Sequence, residues 1–148
     1  MKKFDLFVTV GEYDFDIVEH TINFNKKKLT GLDNIFIFNE NKNFNLIYAT
    51  DIEKSFFPFT KEMIIEKTGL VERSGWIYGQ MCNLYYSYLQ KNKKYTLTID
   101  SDVFFNKKIN FFDGDNPIFT TSDEFHKPYF EHMKRLHPEF VRSNIKSG

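Results

Sequence analysis

The stretch "KKYTLTIDSDVFF", residues 93 to 105, sets two carboxylates, Asp100 and Asp102, one small residue apart behind a run of strand-forming residues. Residues i and i+2 of an extended segment point the same way. One carboxylate can then bind a divalent cation directly, and the other directly or through water. Hard oxygen ligands suit Mg²⁺ or Mn²⁺. A cation so placed would bridge to a diphosphate and stabilise the charge that develops as a nucleoside diphosphate leaves. Ser101, between the two acids, is small enough to let a phosphate approach. The bare pattern Asp-x-Asp is not decisive, because ten aspartates give about 0.7 occurrences by chance, and this chain has three. Asp14/Asp16 reads as helix capping and Asp113/Asp115 as a turn built on Gly114. Asp100/Asp102 differs by its place at the carboxyl end of a strand expected to be central, where open α/β sheets bind ligands. The competing reading is a solvated acidic turn, which leaves two neighbouring carboxylates repelling each other without compensation.

The elements that must position this pair follow from hydrophobic period. "FDLFVTV", Phe4 to Val10, predicts a buried first strand stopped by Gly11. Phe15, Val18 and Ile22 recur at helical spacing, with Asp14 as the expected N-cap. "NIFIFN", Asn34 to Asn39, predicts a second strand and "NLIYA", Asn45 to Ala49, a third. The interval between the first two strands contains a helix, as a parallel crossover requires. Thr60 to Lys67 predicts a short helix capped by Thr60. A long helix follows, with Ile77, Met81, Leu84, Tyr85, Tyr88 and Leu89 expected on its apolar face. Tyr95 to Ile99 is the acid-bearing strand. Beyond it come a hairpin-like stretch, a strand "PIFTT" and a final helix around Tyr129 to Leu136. The alternation predicts an α/β fold with a mainly parallel central sheet flanked by helices.

With 148 residues and 41% hydrophobic content, one domain over 1–148 is expected. Lys plus Arg and Asp plus Glu balance at 20 each, so no sequence-wide field attracts nucleic acid or an anionic membrane, and a charged ligand needs a local site. Cys82 is the single cysteine, which excludes a disulfide within the chain or a Cys-based zinc site and favours a reducing, cytoplasmic setting. No stretch approaches the length of an apolar transmembrane span, and "MKKFDLFVTVGEYD" is too short and too acidic for a signal peptide. A soluble protein is expected.

Three stretches, "RSGWIYGQMCNLYYS", "TLTIDSDVFF" and "FFDGDNPIFTTSDEFHKPYFEHMKRLHP", together resemble a domain-of-unknown-function family grouped with glycosyltransferases of the GT-A superfamily. That family's pattern is a helix opening on Gly-Trp and followed by Gln, an acid pair at a strand end, and a His-x-Pro-Tyr-Phe segment. The likeness runs from about residue 4 to 140. It implies a single Rossmann-like domain and a nucleoside-diphosphate-sugar donor. It also implies an unknown hydroxyl acceptor, with Mn²⁺ or Mg²⁺ on Asp100 and Asp102. The turn Thr9, Val10 and Gly11 would cup the nucleotide, and the first strand would neighbour the acid-bearing one. Gly11 lacks a Cβ and admits close backbone approach, though a plain turn glycine reads the same way. An arginine at position 73 could meet a phosphate, and Gln80 the sugar or nucleotide. Trp76, beside a glycine, is more often core than a stacking platform. Asp123 or Glu124 is the candidate general base for an acceptor hydroxyl, with a helix cap by Ser122 or Asp123 as the alternative. His126 and His132 are candidates for a further ligand, although such histidines are usually structural. GT-A enzymes commonly carry a longer acceptor half than the 46 residues after Asp102, so the chain reads either as a minimal enzyme or as one truncated on the acceptor side.

Two other readings compete. A haloacid-dehalogenase-like phosphotransferase also places Asp-x-Asp after a buried strand, but wants it on the first strand and a Thr or Val where Phe104 stands. A non-catalytic nucleotide-sugar-binding or assembly module would keep the fold without turnover.

Overall fold

A computed structural model describes residues 2–41, 43–90, 95–119 and 126–139. They belong to two compact units, Met1–Ile118 and Phe119–Gly148. In the first unit, β1 (Phe4–Thr9) leads through a 3₁₀ turn at Glu12–Asp14 to α1 (Val18–Asn25), a short β2 (Leu29–Thr30) and β3 (Leu32–Phe38). β4 (Thr50–Asp51), α2 (Lys61–Thr68), α3 (Ser74–Gln90) and β5 (Tyr95–Asp100) follow. β6 (Ile109–Asn110) pairs with β2, while β7 (Phe112–Asp113) and β8 (Asn116–Pro117) form a small antiparallel ribbon. The second unit contributes α4 (Lys127–Leu136), matching the helix expected there.

The main sheet has the order β4-β3-β1-β5, with every neighbouring pair parallel. It is the mainly parallel α/β sheet the alternation predicts. β1 is covered on both faces, so it reads as an almost continuous apolar run. Phe4, Leu6 and Val8 pack with Val18 and Ile22 of α1 on one face. On the other, Phe7 meets Tyr78, Cys82 and Tyr86 of α3, and its ring stacks on Tyr86 at 4.2 Å. Thr9 pairs with Asp100, so β1 and the acid-bearing strand are neighbours and end together. Among the described residues β5 lies at the sheet edge rather than at its centre, and β1 holds the inner position.

Four further expectations are corrected. "NLIYA" is a turn, not a strand. The Asp51 carboxylate accepts the backbone N–H groups of Phe44 and Asn45, each at 3.0 Å, and Asn45 adopts a φ of 50°. Strand pairing falls instead to Thr50–Asp51. The apolar face of α3 is rotated from the expected one. Tyr78, Cys82 and Tyr86 are buried, while Leu84 and Tyr88 are exposed. In "MCNLYYSYL" apolar residues occur nearly all round the helix, so periodicity alone could not choose the face. Asp14 is not a helix cap, since α1 begins later, behind Ile17. The stretch "PIFTT" contributes only Pro117 to a strand, and Thr120 and Thr121 lie outside the described residues.

Other local signals act as expected. The Thr60 hydroxyl accepts the Met63 N–H at 3.3 Å, and α2 stops at Gly69, whose φ of 69° is left-handed. Gly114, with φ 57°, turns the β7–β8 ribbon between Asp113 and Asp115.

Candidate functional site

The carboxyl ends of β3, β1 and β5 open into a cavity of about 410 Å³, walled on one side by the first half of α3. This is where a parallel sheet presents unpaired backbone groups to a ligand. From β1 and the turn after it come Thr9, Val10, Gly11, Glu12 and Asp14. The end of β3 gives Phe38, Asn39, Glu40 and Asn41. β5 and its turn give Asp100, Ser101 and Asp102. Lys61 enters from α2, and Gly75, Trp76, Tyr78, Gly79 and Gln80 from α3.

The acid pair does not sit in a straight extended segment. β5 ends at Asp100, and the Val103 N–H closes a turn on the Asp100 carbonyl at 3.3 Å. Both carboxylates are exposed and both line the cavity. Ser101 between them is 3% exposed, and its hydroxyl donates to the Asp14 carboxylate at 2.5 Å. This bond ties the turn after β1 to the turn after β5. The Ser101 side chain is thereby committed to Asp14, and a ligand meets the backbone there. Gly11 has an ordinary extended φ of −71°, so conformation does not demand glycine. A Cβ would lie 3.2 Å from an Asp14 carboxylate oxygen, so the bare Gly11 makes room for the Asp14–Ser101 link.

The far side of the acid turn is anchored by Asn25, the fully buried last residue of α1. Its side-chain amide donates to the Val103 carbonyl at 2.6 Å and its oxygen accepts the Phe105 N–H at 2.9 Å. On the opposite flank, the Val10 N–H donates to the Phe38 carbonyl at 2.8 Å, and the Asn39 amide donates to the Val10 carbonyl at 2.6 Å. The cavity walls therefore meet through hydrogen bonds at both edges of β1.

Trp76 is not core: it is 64% exposed and lines the cavity. Arg73 lies outside the lining, with its guanidinium carbon 5.5 Å from the Trp76 ring centre, in cation–π range. Gln80 lines the first cavity and also a second, more open one of about 460 Å³ along the β5 edge, floored by Leu97, Ile99, Phe105 and Phe111. Asp100 borders both cavities. Asp123 and Glu124 lie outside the described residues. His126 and His132 belong to the second unit, where the His126 ring packs against Tyr129 at 4.4 Å.

Charge sets what the cavity can hold. Glu12, Asp14, Glu40, Asp100 and Asp102 line it, against Lys61 as the one cation lining it among the described residues. Glu40 is engaged by Lys54 at 2.6 Å, a bond that raises the lysine pKa. An anionic ligand entering alone would meet net repulsion. Among the described residues no group of three or more His, Cys, Asp or Glu could hold a metal ion. The oxygen donors of Asp100 and Asp102 suit Mg²⁺ or Mn²⁺ completed by water and ligand phosphates, the usual way a hard cation is shared with a nucleotide. Behind the α3 wall, burial pushes the Cys82 thiol up to about 12, so it is a packing residue and no nucleophile. Burial also raises Tyr78 and Tyr86.

Sequence reading missed Asp14, Asn25, Lys61 and the Asn39–Asn41 segment. Asn39 closes a predicted strand, so the strand-end rule that selected Asp100 would have flagged it. Nothing local marks Asn25, whose partners are 78 and 80 residues away. No helix among the described residues is long and apolar enough to cross a membrane. No protein-family model, curated protein or solved structure matches the chain.

Proposed function

We propose that this chain is a metal-dependent glycosyltransferase of GT-A type, moving a sugar from a nucleoside-diphosphate donor to a hydroxyl acceptor. The observation that carries the reading is the convergence on one cavity of the acid pair, the Thr9–Gly11 turn, Trp76 and Gln80, from three separate parts of the chain. A divalent cation held by Asp100 and Asp102 would offset the acidic lining and the charge of the departing diphosphate. The chain's own contributions are positional. The Asp14–Ser101 bond and the Asn25 clamp hold the acid turn from either side. Thr9 lies one strand spacing, about 4.8 Å, from its β5 partner Asp100, and Val10 and Gly11 continue from it along the cavity wall. Gln80 and Asp100 divide the donor cavity from the cavity along β5, so an acceptor hydroxyl bound there would approach the same carboxylate. Asp123 or Glu124 would serve as the general base that deprotonates the acceptor hydroxyl.

Calorimetric titration of UDP- and GDP-sugars with and without Mn²⁺ tests the reading. Metal-dependent binding with slow donor hydrolysis supports it. Binding without hydrolysis or transfer points to the non-catalytic module, and turnover of a phosphate monoester to the phosphotransferase.

A further inference from the structure

Two glycines in α3 have no packing reason to be glycine. Gly75 and Gly79 are one turn apart and both line the first cavity. Glycine is among the least favourable residues within a helix, so its presence at position 79 needs an explanation in space or in backbone shape. Neither residue has a positive φ. Close approach of α3 to the sheet is the obvious alternative, but a Cβ on Gly79 would lie 3.6 Å from the Thr9 hydroxyl, an ordinary contact distance. A Cβ on Gly75 would meet only the tip of the Lys61 side chain, at 4.0 Å. The protein itself therefore leaves room for alanine at both positions.

We propose that the bare backbone of α3 at Gly75 and Gly79 is the wall against which the nucleoside part of the donor lies, between Thr9 and the exposed ring of Trp76. The inference rests on the nucleotide reading above and deepens it. Gly79 sits beside the end of β1, the strand next to acid-bearing β5. With a diphosphate fixed at Asp100 and Asp102, the attached nucleoside falls over β1 and towards the end of β3. Side chains on α3 at these positions would project into that volume.

The test uses the full chain, Mn²⁺, and UDP and GDP as probes, with melting temperature and calorimetric affinity read together. Gly79→Ala is expected to raise Tm by about 3 °C, because the helix gains a better former without a clash, while nucleotide binding weakens. Gly79→Leu is expected to lose at least tenfold in affinity with the fold retained. Should Gly79→Leu fail to fold, Gly75→Leu carries the same test, since a Cβ there meets only the flexible Lys61 end. A lowered Tm in Gly79→Ala would assign the glycine to packing and overturn the inference. So would wild-type affinity in the folded leucine variant. Absence of any Mn²⁺-dependent nucleotide binding by the wild type would instead sink the proposed function, and this inference with it.

Discussion

Replacing Asn25 by alanine removes two hydrogen bonds that hold the segment leaving the acid turn, to the Val103 carbonyl and from the Phe105 N–H. Each bond contributes about 1 kcal/mol net, and stranding a buried partner adds roughly 1–3 kcal/mol. Asn25 is fully buried, so water cannot easily replace it without opening the site. We expect a loss of about 2–4 kcal/mol in urea unfolding and a Tm lower by about 10 °C. Asn25→Leu fills the space but supplies no polar atoms, so it should recover little. Because Val103 directly follows Asp102, the loosened turn should also weaken Mn²⁺ binding measured with nucleotide present. An Asn25→Ala protein with wild-type Tm and wild-type metal affinity would refute the claim that α1 positions the acid turn.

Thr60→Ala should cost about 1 kcal/mol, seen as a lower urea midpoint with unchanged slope, because the α2 cap to Met63 is lost. A reagent for free thiols should label native Cys82 slowly at pH 8 and quickly in denaturant, since burial raises the thiol from 9.0 to about 12. Stability should fall as pH rises above about 9, because the unfolded thiol ionises first while the folded one stays protonated until about 12. The raised tyrosines 78 and 86 act in the same direction. A flat alkaline stability profile would contradict their burial.

The parts legible in sequence were those with a strong local signal. "FDLFVTV" and "YTLTI" are dense in strand formers, and the capping hydroxyl of Thr60 precedes a clear helix. A crossover could be inferred only for the first two strands, and the pairing of Thr9 beside Asp100 was implied only by the family resemblance. What failed depended on partners that the local residue pattern does not show. Asp14 looked like a cap because capping needs only neighbours, whereas its carboxylate is taken by Ser101, 87 residues on. "NLIYA" has strand composition, but Asp51 captures the backbone amides of Phe44 and Asn45 at its start and folds it into a turn. Trp76 resembled core by residue type, yet the helix face that meets the sheet is the one bearing Tyr78, Cys82 and Tyr86. The candidate site was visible as separate pieces, and its shape depended on which face of α3 turned inward.

The most direct test is the electron paramagnetic resonance signal of free Mn²⁺ titrated with the protein in the presence and absence of UDP or GDP. The account predicts that nucleotide and protein together quench the free-ion signal beyond what nucleotide alone does, and that Asp102→Asn abolishes the difference while its melting curve stays near wild type. Equal quenching by wild type and Asp102→Asn, or no quenching by either beyond that of the nucleotide, would contradict a metal-assisted site at the end of β5.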